Sequence, residues 1–239
     1  MLSKSSHDLH SQPDHWAGRF DSFMNAMPSD DGSHDIAHLR RVWRTARSIA
    51  QSAGGDQLVI AAACYFHDLI NLPKNHIDRH LASAYSGSKA ISIIQDNFPE
   101  FPVAKYEAVR HAIEAHSFSA QIEPLTLEAE IVQDADRLEA VGAIGIARVF
   151  YVAGSLGQLI FDPNDPLAQR RPLNDKQYAL DHFQTKLLAI RHSMRTAEGY
   201  RIAQLNSDYL IQFAAKLLGE TQGEMLELDA KTITYLNRK

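Results

Sequence analysis

The sequence has little that would suit an extracellular, membrane-embedded or nucleic-acid-binding protein. Its 239 residues include one cysteine, Cys64, which excludes an intramolecular disulfide and a cysteine-rich metal site. Lys and Arg number 24 against 29 Asp and Glu, so a formal charge of −5 leaves no broad basic surface for nucleic acid. No signal-peptide stretch opens the chain, and the longest plain apolar run, Val59 to Phe66, is too short to span a bilayer. These absences predict a soluble cytoplasmic protein that binds neither a nucleic acid polymer nor a membrane.

The sequence also lacks the apolar–polar alternation that is typical of β-strands. Apolar residues recur instead at steps of three and four, which predicts an all-α fold. The predicted helices cover residues 35–53, 56–70, 80–97, 102–116, 126–152, 176–193 and 196–219, and a last one 222–237.

Gly, Pro, Asn and Asp, which favour turns and loops, indicate where these helices are separated. Residues 153–175 are rich in all four and predict a long loop, which in a compact domain is usually functional or mobile. We expect a flexible polar leader over residues 1–12 and a single helical domain over 13–239, with a core at about 30–152 and C-terminal helices in 176–239.

Ionisable residues interrupt the apolar faces of three predicted helices. His38 lies one turn before Val42, on the face that continues through Thr45 and Ile49. His67 shares a face with Ile60 and Cys64, and Asp68 follows it; Asp136 lies in line with Val132, Ala140 and Ala143. A lone inward histidine is more often a hydrogen-bonded core residue than a ligand. Three helices that each point a His or Asp inward favour a shared site.

A metal ion would explain these buried polar groups. Burying a lone carboxylate costs several kcal/mol unless it is paired or binds a metal. Two imidazoles and two carboxylates suit a borderline-to-hard divalent ion such as Mn²⁺, Fe²⁺, Zn²⁺ or Mg²⁺. Four protein ligands on an ion that prefers six leave positions for water or a phosphate oxygen.

The same residues resemble the H…HD…D signature of the HD-domain phosphohydrolases. His38 stands in HLRRV, similar to the HxxRV start of that superfamily, and the His67-Asp68 doublet follows the small-residue helix AAACYFHDLI. Asp136 lies in ADRL, a segment found in several HD branches. The stretches SHDIAHLRRVW, HDLINLPKNH, EAHSFSA and IVQDADRLEAVGAIGIARVF, and the C-terminal RRPLNDKQYALDHFQTKLL, look like the bacterial YedJ/YpgQ-like subgroup. The resemblance implies an HD-domain helical bundle with a C-terminal helical extension.

The resemblance also implies a ligand set for one divalent metal ion. It assigns His38, His67, Asp68 and Asp136 as ligands and Mn²⁺ as the expected ion, with Mg²⁺, Fe²⁺, Zn²⁺, Ni²⁺ or Co²⁺ as alternatives. Asp134 competes for the fourth position, but helical spacing turns it about 200° from Asp136. His34 and Asp35 could orient a ligand or cap the helix.

Candidate substrate contacts come from cations and histidines near these motifs. Asp68 is a candidate general base as well as a ligand, and Lys74, in the turn after the doublet, is a candidate for catalysis and phosphate binding. Further candidates for substrate binding are Arg137, Arg171, His111 and His116. His80 or His111 could instead hold a second metal, although the spacing favours one.

The resemblance suggests a nucleotide substrate, above all a nucleoside triphosphate hydrolysed to monophosphate and pyrophosphate. The metal would polarise a phosphoryl oxygen and lower the pKa of water. A nucleotide phosphomonoesterase, a phosphodiesterase and a non-catalytic nucleotide sensor remain alternatives. No GxxxxGK loop is present, so the sequence does not indicate ATP-driven work. The sequence leaves open a monomer or a homodimer.

Overall fold

Helices account for the regular structure throughout the part of the chain described by this computed structural model, residues 12–27, 36–72 and 76–238. Within those residues the chain forms ten α-helices and no β-strand, which confirms the all-α prediction. The helices are α1 (Pro13–Ala26), α2 (Ile36–Ala53), α3 (Gln57–Phe66), α4 (Ala82–Asn97), α5 (Tyr106–His116), α6 (Leu127–Leu138), α7 (Gly142–Ser155), α8 (Asp181–Thr185), α9 (Ala197–Thr221) and α10 (Ala230–Leu236). Short 3₁₀ segments lie at Arg79–Leu81, Val103–Lys105 and Leu187–Ser193.

Two compact units make up the chain, Met1–Asp136 and Arg137–Lys239. The predicted flexible leader over residues 1–12 lies, except for Gln12, outside the described residues. The single domain over 13–239 stays a prediction. No individual helix of the described residues has both the length and the hydropathy of a membrane span, and α6 and α7 meet that test only together, as a bent pair.

The first unit has an aromatic core built partly by α1, which the sequence analysis did not predict. Trp16 and Phe20 of this helix are fully buried. The ring centroid of Trp16 lies 5.1 Å from that of Phe101. The ring centroid of Phe20 lies 5.0 Å from those of Phe66 and Phe98. Edge-to-face contacts at these distances stabilise a core beyond the area buried. The signal was present in the sequence, since Pro13 opens the helix at a position that Pro favours and the aromatic residues recur at helical spacing.

A short connection joins α2, which carries His38, to α3, which ends directly before His67. Gly54 and Gly55 have φ of 89° and 92°, in the left-handed region where glycine carries no steric penalty, and they end α2. Asp56 caps α3 through Oδ1, which accepts from the backbone N–H groups of Leu58 and Val59. The Asp56 carboxylate also pairs with Lys105.

Three predicted helices differ from those observed, and the last of them, predicted over 222–237, forms only over Ala230–Leu236. The predicted helix over 126–152 is interrupted between Leu138 and Gly142, because Gly142 has φ of 72°, and a Cβ there would lie 2.9 Å from Cγ of Asn206. The predicted helix over 176–193 is also wrong: α8 has five residues, and a 3₁₀ segment follows it. Apolar periodicity continued across both interruptions and so did not reveal them.

The second unit contains the long loop predicted over 153–175, which the structure places between Ser155 and Asp181. Its two ends are joined by backbone hydrogen bonds, from Ala179 N–H to the Leu159 carbonyl at 2.9 Å and from Leu180 N–H to the Ile160 carbonyl at 2.9 Å. The rings of Phe150, Phe183 and Phe213 pack at centroid distances of 5.8 to 6.3 Å. The loop is thus an ordered excursion anchored at both ends.

Candidate metal centre

Four side chains from three helical segments converge in the first unit. Nε2 of His38, on α2, lies 3.2 Å from Nε2 of His67, which follows α3. Oδ2 of Asp68 lies 3.4 Å from Nε2 of His67 and 3.8 Å from Nε2 of His38. Oδ1 of Asp136, on α6, lies 3.7 Å and 3.6 Å from the same two nitrogens. We call these four residues the acceptor cluster.

Local structure fixes the two imidazoles. His38 and His67 are 2% and 0% exposed, because α2 presents His38 on its inward face with Val42, and α3 is buried along most of its length. Nδ1 of His67 donates to the carbonyl oxygen of Cys64 at 2.9 Å, so the other ring nitrogen faces the cluster. Burial raises the pKa of the Cys64 thiol, which leaves it a neutral core residue.

The cluster is electrostatically unbalanced. With Nδ1 of His67 bound to a carbonyl, Nε2 of a neutral ring is an acceptor, and it faces a second imidazole and two carboxylates. Burial opposes a charge on His67, but the nearby carboxylates of Asp68 and Asp136 outweigh it and raise the pKa of His67 to about 9. Burial would likewise raise the pKa of Asp68, yet the charges of His67 and His116 hold it well below its usual range. The site therefore favours a positive charge at its centre.

The donor set fits a divalent metal ion. The ligating atoms of His38, His67 and Asp68 all lie within 4.8 Å of one another. Ligand bonds of about 2.0–2.2 Å place the ligands of one ion about 3–4 Å apart, which matches the distances from the two imidazole nitrogens to each other and to each carboxylate. Asp136 stands outside the three-residue group but lies within this range of both imidazoles. Two nitrogens and two oxygens suit a borderline-to-hard ion and do not by themselves select one metal.

An open cleft adjoins the cluster on the side of Asp68. His116, on α5, lies at the boundary, with Nε2 3.5 Å from Oδ1 of Asp68 and Nδ1 bound to the carbonyl of Ile113. The two oxygens of Asp68 therefore face opposite ways, one toward the imidazole pair and one toward the cleft. The remaining described lining residues are Ile70, Asn71, Arg79, Ala82, Ser83, Ser117 and Ser119.

Comparison with known proteins identifies this arrangement. The model of the HD domain family matches residues 35–141, which include all four cluster residues. The uncharacterised protein YpgQ of Bacillus subtilis is 31% identical over 218 residues, covering 88% of this chain and 94% of that protein. The chain belongs to the HD domain family.

Solved structures of HD-domain proteins agree over nearly their whole length. An HD-superfamily hydrolase from Bacillus thuringiensis superposes with a TM-score of 0.68 and 27% identity, covering 88% of this chain and 99% of that structure. Bacillus subtilis YpgQ in complex with ADP superposes with a TM-score of 0.63 and 25% identity, covering 91% and 99%. The fold is that of an HD-superfamily hydrolase.

The structure brings together five of the HD-domain residues that the sequence singled out. These are the acceptor cluster and His116, which lines the adjacent cleft. Oδ1 of Asp136 lies 3.6 Å and 3.7 Å from the two imidazole nitrogens, and Asp134 is fully buried. The choice between them as the fourth ligand stays a prediction. Lys74, His34 and Asp35 lie outside the described residues.

Three further candidates have contacts of their own. Nε2 of His111 accepts from the backbone N–H of Leu125 at 2.9 Å, and Nη1 of Arg137 donates to the carbonyl of Ser193 at 2.9 Å. Arg171 binds Asp181 and Asp162 and stacks on Tyr178 within the long loop. Their roles toward a substrate stay predictions.

Sequence reasoning missed one cation of the cleft, Arg79. It lies eleven positions after Asp68, in the 3₁₀ segment before α4, and no periodicity marks it. Its one signal is that a basic residue precedes the helix that follows the HD doublet. The fold was needed to bring it to the cleft.

Proposed function

We propose that the acceptor cluster binds one divalent ion, Mn²⁺ first among the candidates, and that the protein is a metal-dependent nucleotide phosphohydrolase. The reaction proposed is hydrolysis of a nucleoside triphosphate to a monophosphate and pyrophosphate. One observation carries the proposal: four acceptor side chains converge on a centre that favours positive charge, directly beside an open polar cleft.

The relatives support a nucleotide as the substrate. YpgQ, which this chain resembles over 94% of its length, has been crystallised in complex with ADP, and the relative from B. thuringiensis is described as a hydrolase. Fold alone does not fix the bond cleaved. The proposal of a triphosphate rests on the resemblance to the YpgQ-like subgroup together with the cleft beside the cluster.

The side chains of the cluster divide the work. A divalent ion held by His38, His67, Asp68 and Asp136 supplies Lewis-acid polarisation of a phosphoryl oxygen and a lowered pKa for water. Asp68, whose oxygens face both the imidazole pair and the cleft, is the proposed general base. Water attacks the α-phosphorus, the bond from that phosphorus to the bridging oxygen of pyrophosphate breaks, and Asp68 accepts the proton of the attacking water.

Substrate binding involves the residues around this centre. His116 lines the cleft, is 6% exposed and donates through Nδ1 to the carbonyl oxygen of Ile113. It is the proposed contact nearest the reacting phosphate. Lys74, His111, Arg137 and Arg171 stay in the proposal as sequence-based candidates. Each is tested by substitution with alanine, with the expectation that KM rises more than kcat falls.

The proposal is tested by product analysis. The purified full-length chain is incubated with Mn²⁺ and each nucleoside triphosphate. The products are separated by ion-exchange chromatography and identified by ³¹P NMR. We expect equimolar monophosphate and pyrophosphate, and none when EDTA replaces Mn²⁺. Orthophosphate and nucleoside formed from a nucleoside monophosphate would identify a phosphomonoesterase, and orthophosphate and diphosphate formed from a triphosphate would identify cleavage at the terminal phosphate instead. Tight binding of nucleotide without turnover under any of the six candidate metals would identify a sensor.

A further inference from the structure

The cleft beside the acceptor cluster carries a cation that the proposed mechanism does not use. Arg79 is the one Lys or Arg among its described lining residues. The guanidinium is half-buried and donates through Nη1 to the carbonyl oxygen of Leu72. Within the described residues it has no carboxylate partner, so its positive charge remains available to a ligand.

The scaffold around Arg79 is tied to the segment that carries His67 and Asp68. The Ser86 hydroxyl, on α4, accepts from the backbone N–H of Ile70 at 3.0 Å, and the Ser83 hydroxyl donates to the carbonyl oxygen of Glu114 at 2.9 Å. Arg79 itself is bound to the Leu72 carbonyl, four residues beyond Asp68. These contacts hold the cation in a fixed relation to the proposed metal ligands.

The chemistry of the lining selects the part of a nucleotide that fits. The described lining residues offer hydroxyls, an amide, two imidazoles, a guanidinium and the carboxylate of Asp68, with no Phe, Tyr or Trp on which a base could stack. A lining of hydrogen-bond donors without an aromatic ring suits the oxygens of a phosphate chain more than a nucleobase.

We infer that Arg79 binds the phosphates beyond the one that reacts, so that the protein selects its substrate by phosphate count more than by base. The inference rests on the proposed function, which places the reacting phosphate at the acceptor cluster. A guanidinium binds phosphate oxygens through two parallel hydrogen bonds, and a triphosphate offers it oxygens beyond those held at the cluster, which a monophosphate lacks.

Binding measurements test the inference without turnover. The non-hydrolysable analogue α,β-methylene-ATP and AMP are titrated calorimetrically into the full-length chain at a fixed free Mn²⁺ concentration. We expect the wild type to bind the analogue at least about tenfold more tightly than AMP, since a hydrogen bond between charged groups contributes that much or more. Equal affinities for the two ligands would overturn the inference with no variant involved.

Variants then assign the effect to the residue. Arg79→Ala is expected to weaken binding of the analogue about ten- to a hundredfold and to change AMP binding little. Arg79→Lys keeps the positive charge but lacks the planar guanidinium that forms two parallel hydrogen bonds, so it should recover part of the affinity. Lys89→Ala removes the same charge from an exposed position on α4, away from the cleft, and should leave the affinity unchanged.

The outcomes separate this inference from the proposed function. Mn²⁺ binding by the wild type and Arg79→Ala with equal affinity, together with selective loss of the analogue, supports a phosphate contact. Unchanged analogue binding in Arg79→Ala contradicts it while the metal site stands. An equal loss of Mn²⁺, AMP and analogue would show a structural role for Arg79. Absence of Mn²⁺ binding in the wild type would overturn the proposed function instead.

Discussion

Two groups of charged side chains in this protein differ in how their hydrogen-bonding atoms are matched. In the long loop of the second unit, the fully buried Asp181 accepts from Arg171 Nη1 at 2.6 Å, Arg171 Nη2 at 2.9 Å and the backbone N–H of Asn174 at 2.7 Å. Arg171 also stacks 4.3 Å from the ring centroid of Tyr178. Three N–H donors thus face the two carboxylate oxygens of Asp181. In the acceptor cluster, two imidazole nitrogens and two carboxylates face one another.

This difference distinguishes a structural ion pair from a binding site. The charge of Arg171 offsets that of the buried Asp181, so this ion pair stabilises the loop without a bound ion. In the acceptor cluster two carboxylates lie beside two imidazoles, which are positive only when protonated, so a proton or a cation between them lowers the repulsion of the carboxylates. A buried polar group therefore becomes a functional candidate when its partners share its own sign or hydrogen-bonding role.

The largest expected effect comes from removing an acceptor. Asp68→Ala should lower kcat/KM of the proposed hydrolysis by about 10³-fold or more, since the metal's contribution is several kcal/mol and each 1.36 kcal/mol is a factor of ten. Steady-state kinetics with Mn²⁺ measure this, and circular dichroism should show unchanged helicity. Asp96→Ala, an exposed aspartate on α4, is the matched control. Full activity in Asp68→Ala would place the reaction elsewhere.

Breaking the ion pair of Arg171 and Asp181 should lower the free energy of unfolding and leave the metal site intact. Arg171→Met leaves the buried Asp181 carboxylate without its cation, which should lower the free energy of unfolding by about 3 kcal/mol. Urea denaturation measures the change. Replacing both partners, with Arg171→Met and Asp181→Leu, should cost less than the single change. If the single variant unfolds like the wild type, the loop group is not the anchor described above.

A smaller effect concerns pH. His67 has a pKa of about 9 in the fold against 6.5 ordinarily, so the stability that its protonation gives is present below pH 6.5 and is lost as pH rises through 9. Unfolding in EDTA should therefore need less urea at pH 9 than at pH 6. Mn²⁺ competes with that proton and should bind more tightly as pH rises over the same window.

Substitutions assign this pH dependence to the cluster. His67→Gln should remove most of it, whereas His111→Gln, on a histidine bound to a backbone N–H outside the cluster, should preserve it. Metal-free stability that increases between pH 6.5 and 9 would show that the carboxylates do not charge His67 in the way inferred.

Much of the fold and the members of the cluster could be predicted from sequence because both depend on helical periodicity. His38, His67 and Asp136 stand on faces that the apolar residues define, and the contacts of these side chains with one another follow from the burial of those faces. The HD motifs then joined the three helices into one site. Turn conformations were harder, as the interruption before Gly142 shows, since a positive φ leaves no mark in apolar spacing.

The neighbours of the site were not predictable in the same way. Arg79 precedes α4 in a short 3₁₀ segment, and only tertiary packing sets it beside Asp68 and His116. The ion pair of Arg171 with Asp181 was equally unmarked in the sequence, and the role of Arg171 toward a phosphate stays a prediction. Isolated cations carry no periodic signal, so their partners become clear only from coordinates.

Metal titration tests the central claim most directly. Isothermal calorimetry of the EDTA-treated, dialysed protein with Mn²⁺ should show one equivalent bound in the wild type and in Arg171→Met, and none in His67→Ala. Proton release, measured in buffers of different ionisation enthalpy, should accompany binding below pH 9. A wild type that binds no Mn²⁺ or other divalent ion, or a His67→Ala variant that binds it unchanged, would contradict the account.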